Sequence, residues 1–284
     1  ANWLLPRNDR LYSPRLHRTM ARWPWLARLR HDFQWLFFGE MQLTPLMKQV
    51  RPVVWLARRK SMAHLRRQVR DPALRAKLVP DFPIGAKRVL FNDDYYPALG
   101  RANVEVVTDA VEAIVPDGVR TRDGKVHPAD VIIYATGFKA TDFLAGVEVT
   151  GLAGRRLHDE WRHGAHAYLG VTVSGFPNFF MLYGPNTNLG HNSILVMIEA
   201  QVGYIIDAIG QMRQRGVRRI DVKRGVMDEF NRELQKDLAK SVWAASKGSW
   251  YKLADGTITN NWPHGTMRYR RLLRQADLGT FETT

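Results

Sequence analysis

The sequence predicts an α/β protein, and three observations carry that prediction. Asp130-Val-Ile-Ile-Tyr-Ala-Thr-Gly-Phe138 is a continuous apolar run closed by a small residue, a hydroxyl and a glycine. It reads as a buried strand whose C-terminal end opens into a tight loop, the place where ligands sit in open α/β sheets. Before it, residues 104–107, 111–115 and 119–122 read as short strands, with the turns Pro116-Asp-Gly118 and Asp123-Gly124 making a small antiparallel meander. After it, Leu195, Ile198, Val202, Ile205, Ile209 and Met212 recur at helical spacing as one inward face, in a helix that Gly216 ends.

Residues 1–82 read as helical, punctuated by Asp71-Pro72 and Pro80-Asp-Phe-Pro83, because proline starts helices well and continues them badly. Residues 178–183 form an apolar strand followed by a polar, glycine-containing loop. A strand at 220–222 and a helix begun by Asp228, with Phe230, Leu234 and Leu238 inward, complete the pattern. There is no internal repeat.

Composition sets bounds. A chain of 284 residues with 45% hydrophobic content can build one large domain or two smaller ones. The absence of cysteine excludes disulfides and thiolate metal sites, and no metal site is expected. No unbroken apolar run approaches the roughly 18–20 residues that cross a bilayer, so no spanning helix is expected. The net charge of +15 is unevenly placed: residues 1–90 hold 19 Lys and Arg against 5 Asp and Glu, whereas the rest is nearly balanced. In that basic segment Leu26, Leu29, Phe33, Leu36 and Phe37 recur at helical spacing beside Trp23, Trp25 and Trp35. Three readings stand: a helix lying on an anionic membrane, a nucleic-acid-binding face, or a solvated cationic face whose apolar stripe packs inward. The last is favoured, because arginine stems cover apolar surface readily. No nucleic acid is expected as a partner. Peripheral membrane contact through residues 1–90 stays open, and a cytoplasmic location, with or without membrane association, is the expectation.

Chemistry concentrates in a few places. Lys87 and Arg88 stand at the mouth of a strand, and neighbouring strand side chains point to opposite faces, so the two serve different tasks. A compact ammonium suits a phosphate, while a planar guanidinium can hold a carbonyl and an oxyanion together. The loop Tyr183-Gly-Pro-Asn-Thr-Asn-Leu-Gly-His-Asn-Ser193 precedes the long helix; Asn192 or Ser193 caps it, leaving N–H donors and a positive dipole end toward whatever sits above. His191 reads as a hydrogen-bonding filler. Trp250 offers a flat face and one donor, and Trp262 reads as packing.

The block from Asp81 to Leu99, the strand 130–138 and the block from Gly175 to Ser193, in this order, closely resemble the C-terminal half of flavin-dependent monooxygenases of the Baeyer-Villiger type, within the wider group of flavin-containing monooxygenases. The resemblance runs from Asn2-Trp-Leu-Leu-Pro-Arg-Asn-Asp9 to Ser249-Trp-Tyr251 and Asn260-Asn-Trp-Pro263. It implies the C-terminal half of a fold with two dinucleotide-binding domains, one for FAD and one for NADP. Residues 1–82 would be a helical insertion in the NADP domain, 83–135 the remainder of that domain, and 136–284 the C-terminal part of the FAD domain. It further implies NADPH- and O₂-dependent oxygenation of a ketone or a soft heteroatom. By the same resemblance Lys87 meets the 2′-phosphate of NADPH, and Arg88 is the catalytic residue at the flavin and nicotinamide. Thr136, Gly137, Gly184, Pro185, Asn192 and Ser193 would lie at the cofactors, and Trp250 beside bound NADP. The family's two Gly-x-Gly-x-x-Gly fingerprints are absent, and the chain begins at Ala1, so a C-terminal fragment, inactive in isolation, is the expectation. A basic membrane- or nucleic-acid-binding module is the alternative.

Overall fold

A two-residue strand at each end of a long separation organises the first part of the molecule. Leu4–Leu5 (β1) pairs in parallel with Leu90–Phe91 (β2), bringing residues some 86 positions apart into one ladder. The computed structural model describes residues 1–9, 11–246 and 251–284. It contains two compact units: Ala1–Asn8, Lys60–Asp81 and Leu90–Lys139 form the first, and Asp9–Arg59, Phe82–Val89 and Ala140–Thr284 the second. Residues 1–82 therefore contribute to both. The α/β class holds, with several helices and three small sheets among the described residues.

The helices α1 (Pro14–Arg22) and α2 (Pro24–Gln34) lead into a π-helical segment, Trp35–Leu43, and the short α3 (Thr44–Met47). Next come α4 (Arg51–Gln68), α5 (Pro72–Lys77) and α6 (Tyr95–Leu99). The strands β3 (Val111–Val115), β4 (Gly118–Thr121) and β5 (Val126–Pro128) follow, then α7 (Leu157–Glu160) and α8 (Ile194–Arg215). The chain closes with β6 (Ile220–Val222), α9 (Arg224–Leu238), α10 (Thr266–Leu272) and β7 (Phe281–Thr283).

In the first unit Leu4, Leu65, Val69, Leu78 and Tyr96 form the core, with Met62, Leu74, Leu99 and Val106 packed against it. Its polar links are local and specific: the Asp93 carboxylate accepts from the backbone N–H groups of Arg7 and Asn8, and Gln68 donates to the Asp93 carbonyl at 2.7 Å. Burial pushes the Tyr96 phenol up to about 12. The meander is present as β3-β4-β5, antiparallel, with a register shift between Val111 and Ala113.

Several expected elements are replaced. Residues 104–107 and 178–183 form no strand, and the chain opens with β1 instead of a helix. The run 130–138 is neither strand nor buried: Val131 is 77% exposed, Ile133 85% and Phe138 91%. The meander ends at β5, and no described strand hydrogen-bonds to these residues, so their apolar side chains have nothing to pack against.

In the second unit α8 is capped by the Ser193 hydroxyl, which accepts from the Leu195 N–H, and ended by Gly216 in the left-handed conformation. Its buried face is Met197, Gln201, Tyr204 and Ala208; of the expected stripe, Leu195, Val202 and Ile209 are exposed. Of its two polar members Gln201 answers loop and helix groups there, whereas the Tyr204 hydroxyl is buried with no hydrogen-bond partner among the described residues. Gln201 accepts from the Tyr183 N–H and donates to the Tyr269 hydroxyl, each at 2.9 Å, and Tyr269 donates to the Leu169 carbonyl. By length and composition α8 is apolar enough to cross a membrane, contrary to expectation. Its hydrogen bonds through Gln201 tie one face of it to the second unit. The helix α9 starts at Arg224, one turn before Asp228, and buries Met227, Leu234 and Leu238, with Phe230 only partly covered.

Gly170 has a φ of +67°, and a Cβ there would collide with the Thr187 methyl and lie 2.8 Å from the Pro185 carbonyl. Gly170→Ala should therefore cost about 2–4 kcal/mol, combining left-handed strain with overpacking. Gly203→Ala, in α8 with open space around it, should stabilise by up to about 1 kcal/mol. Urea unfolding of both variants checks the contrast, and equal effects would contradict this packing.

Candidate functional site

The second unit gathers most of the singled-out residues around one loop. Ile84, Gly85 and Ala86 are buried, fixed by a hydrogen bond from Gln49 to the Ile84 carbonyl. Lys87 and Arg88 emerge from this anchored stretch in bend and coil just before β2, which begins at Leu90. They do diverge. The Lys87 ammonium lies 4.4 Å from the Phe82 ring centroid, whereas Arg88 donates to the Leu189 carbonyl in the loop at 3.4 Å.

That loop is stitched to residues 258–262 by backbone and amide groups. Asn186 N–H donates to the Thr259 carbonyl at 2.7 Å and its side chain to the Ile258 carbonyl. The Asn188 side chain accepts from the Tyr183 hydroxyl and donates to the Asn261 carboxamide. Trp262 N–H donates to the Asn188 carbonyl, and the indole of Trp262 is buried as packing, as expected. The loop thus has little freedom, and the groups it carries are fixed before any ligand arrives.

Arg88 is flanked by two phenols. Burial pushes the hydroxyls of Tyr183 and Tyr251 up, and in both cases the Arg88 charge opposes the push. At the far end of the loop Ser193, not Asn192, caps α8; Asn192 accepts from the Ser193 N–H at 2.8 Å. The Asn192 amide also donates to Glu40. Glu40, from the π-helical segment, in addition accepts from the backbone N–H and hydroxyl of Thr266, the first residue of α10. One carboxylate therefore ties together a π-helical segment, an α-helix N-terminus and the loop.

His191 overturns its reading as a hydrogen-bonding filler. It is buried, and neither ring nitrogen has a hydrogen-bond partner among the described residues. Burial pushes its pKa down to about 4, against the pull of Glu40, so it is neutral at pH 7. Gly184 and Pro185 are buried too. The glycine is required by its approach to the Gly170 carbonyl. Thr136 and Gly137 lie exposed in the first unit, Gly137 with a φ of +93°, and Trp250 lies outside the described residues.

Sequence reasoning missed Glu40, Tyr183, Tyr251 and the Asn188–Asn261 pair. Glu40 had a signal, being the lone charge in Trp35–Leu43, an otherwise almost wholly apolar run. The asparagine pair had none, since its partners are 73 residues apart.

The arrangement suits a flat, electron-accepting ring system. A fixed guanidinium, the donor end of a 22-residue helix and a buried neutral imidazole with both nitrogens unanswered fit the polar edge of a flavin. No Gly-x-Gly-x-x-Gly turn occurs in the sequence to hold a pyrophosphate. A cleft of about 640 Å³ in the first unit, flanked by Leu74, Lys77, Leu99 and Val106, contains none of the singled-out residues.

No family model matches the chain. It is 39% identical over 285 residues to a Baeyer-Villiger monooxygenase of Pseudomonas aeruginosa, covering 99% of this chain and 54% of that protein. It is 36% identical over 288 residues to a Baeyer-Villiger monooxygenase of Streptomyces coelicolor, again 99% and 54%. Among solved structures, OTEMO in complex with FAD and NADP aligns with a TM-score of 0.73 and 29% identity over 82% of this chain and 45% of that one. A second crystal form of that complex aligns over the whole chain with a TM-score of 0.80 at 23% identity, a likeness of fold. The chain spans about half the length of the curated relatives it matches. By sequence and by fold, this chain is a homologue of the Baeyer-Villiger and FAD-binding monooxygenases, matching about half of their length.

Proposed function

We propose that these 284 residues supply the NADP-side remainder and the flavin-ring side of an NADPH- and FAD-dependent monooxygenase, which oxygenates a ketone or a soft heteroatom. Residues 1–82 would be the helical insertion, 83–135 the rest of the NADP domain and 136–284 the C-terminal part of the FAD domain. The observation that carries the reading is Arg88: its guanidinium is held at the Leu189 carbonyl, in the loop that leads to the α8 N-terminus, beside Tyr183 and Tyr251. The names of the relatives support the same reaction class.

Bound FAD, reduced by NADPH, would supply the activation of O₂. The protein's task is then to hold and neutralise. Arg88 presents permanent positive charge where negative charge develops during oxygen transfer. Asn192, Ser193 and the first N–H groups of α8 would hold the electron-rich edge of the ring, with Gly184 and Pro185 in the same loop; Thr136, Gly137 and Trp250 would contact the cofactors, as the family resemblance implies. Lys87, a point charge, reads the 2′-phosphate that distinguishes NADPH from NADH.

In the full-length protein Lys87→Ala should raise the KM for NADPH and leave that for NADH nearly unchanged; equal losses would count against the assignment. Arg88→Ala should still permit flavin reduction but lose product and release hydrogen peroxide, with oxygenation down on the order of a hundredfold. Stopped-flow reduction beside product yield per NADPH measures this, and a variant that stays fully coupled makes Arg88 a structural cation. The isolated chain, lacking a pyrophosphate turn, should keep little flavin after desalting. A stoichiometric yellow protein would contradict that.

A further inference from the structure

The basic segment at the start of the second unit does not pack its apolar stripe inward. Neither α1 nor α2 contains a buried residue. Trp25, Leu29, Phe33 and Phe37, each four residues after the last, run as one stripe from α2 into the π-helical segment, and Met41 continues it. Trp25, Leu29, Phe33 and Met41 are 58–60% exposed and Phe37 is 37% exposed. The rings of Phe33 and Phe37 stack at 5.4 Å. A row of large apolar side chains left in water in this way marks an interaction surface, since scattered single exposures would need no explanation.

Charge tells what covers it. Residues 9–59 hold ten Lys and Arg against three Asp and Glu. Arg15, Arg18 and Arg22 recur along α1, and Arg28 and Arg30 flank the stripe on α2. Cations sit against aromatic rings at three points: Arg22 at Trp23, Arg30 at Tyr12 and Arg59 at Trp55, at 5.9, 5.0 and 5.2 Å from the ring centroids. Tryptophan and arginine together are suited to the headgroup level of a bilayer, where a ring has an apolar body and a wet edge and an arginine reaches a phosphate. A second copy of the chain would bring like charge against like. Single-stranded nucleic acid would use the cations and the rings, yet Leu29 and Met41 offer a base no stacking face, whereas an acyl boundary accepts them.

We propose that the face formed by α1, α2 and the π-helical segment docks this protein on an anionic lipid surface, aromatic and aliphatic side chains inserted and arginines at the phosphates. The test is co-sedimentation of the full-length protein with phosphatidylcholine vesicles, with and without phosphatidylglycerol, together with quenching of tryptophan emission by brominated acyl chains. Binding should require phosphatidylglycerol and weaken roughly tenfold or more when salt is raised to about 0.5 M. The variants Phe33→Ser/Phe37→Ser and Arg18→Glu/Arg22→Glu/Arg28→Glu alter only exposed side chains. Each should lose binding by at least roughly tenfold while circular dichroism and urea unfolding stay unchanged. Equal binding to neutral vesicles, no binding to either, or binding without quenching would overturn the proposal. So would a self-association that Phe33→Ser/Phe37→Ser abolishes, or a preference for oligonucleotide over vesicles at equal salt.

Discussion

The second unit depends on one buried amide. Gln201 is fully buried in the middle of α8, and its two ends answer three groups: the Tyr183 N–H, the Tyr269 hydroxyl and the Gly170 carbonyl. Leaving any of them unpaired would cost about 1–3 kcal/mol. The helix is thereby locked in rotation, because turning it by one residue would bury an apolar side chain against groups that need hydrogen bonds. From that rotation follow the start of the 183–193 loop at Tyr183 and the docking of α10 through Tyr269. The close approach of Gly170 to Thr187 and Pro185 belongs to the same packing.

With α8 fixed, the loop needs few further constraints to become rigid. Its asparagines hold residues 258–262 on one side, and Arg88 reaches the Leu189 carbonyl. The Glu40 carboxylate closes the far end by joining Asn192 to Thr266. The result is a preorganised patch in which positive charge is fixed while the neutral His191 ring stays unanswered. Such a site stabilises negative charge without paying for reorganisation when the charge appears.

The same unit leaves apolar surface unburied, and so does the first. Residues 131–138 present valine, isoleucine, tyrosine and phenylalanine to solvent, and the α2 stripe presents tryptophan and phenylalanine beside arginines. The two differ in chemistry. The first carries little charge and has an open backbone, as an unpaired strand does; the second is cationic, helical and already satisfied in its backbone.

Much was legible in the sequence, for local reasons. Gly216 and Ser193 set the ends of α8 because left-handed glycine and a hydroxyl cap act within one turn. The meander followed from its turns, and the divergence of Lys87 from Arg88 from adjacent side chains leaving the backbone on different sides. Tertiary structure alone decided the rest. An apolar run such as 130–138 has the composition of a buried strand, but burial requires neighbours to pair with it, and no described strand pairs with it. The inward face of α8 was misread because periodicity counts apolar residues, while Gln201 went inside for partners that sequence distance hides. Glu40 reached the loop across 152 residues, a contact fixed by the fold and invisible to any local pattern. Local sequence determined where α8 begins and ends; the burial of Gln201 on its inner face was settled by hydrogen-bond partners that only folding brings within reach.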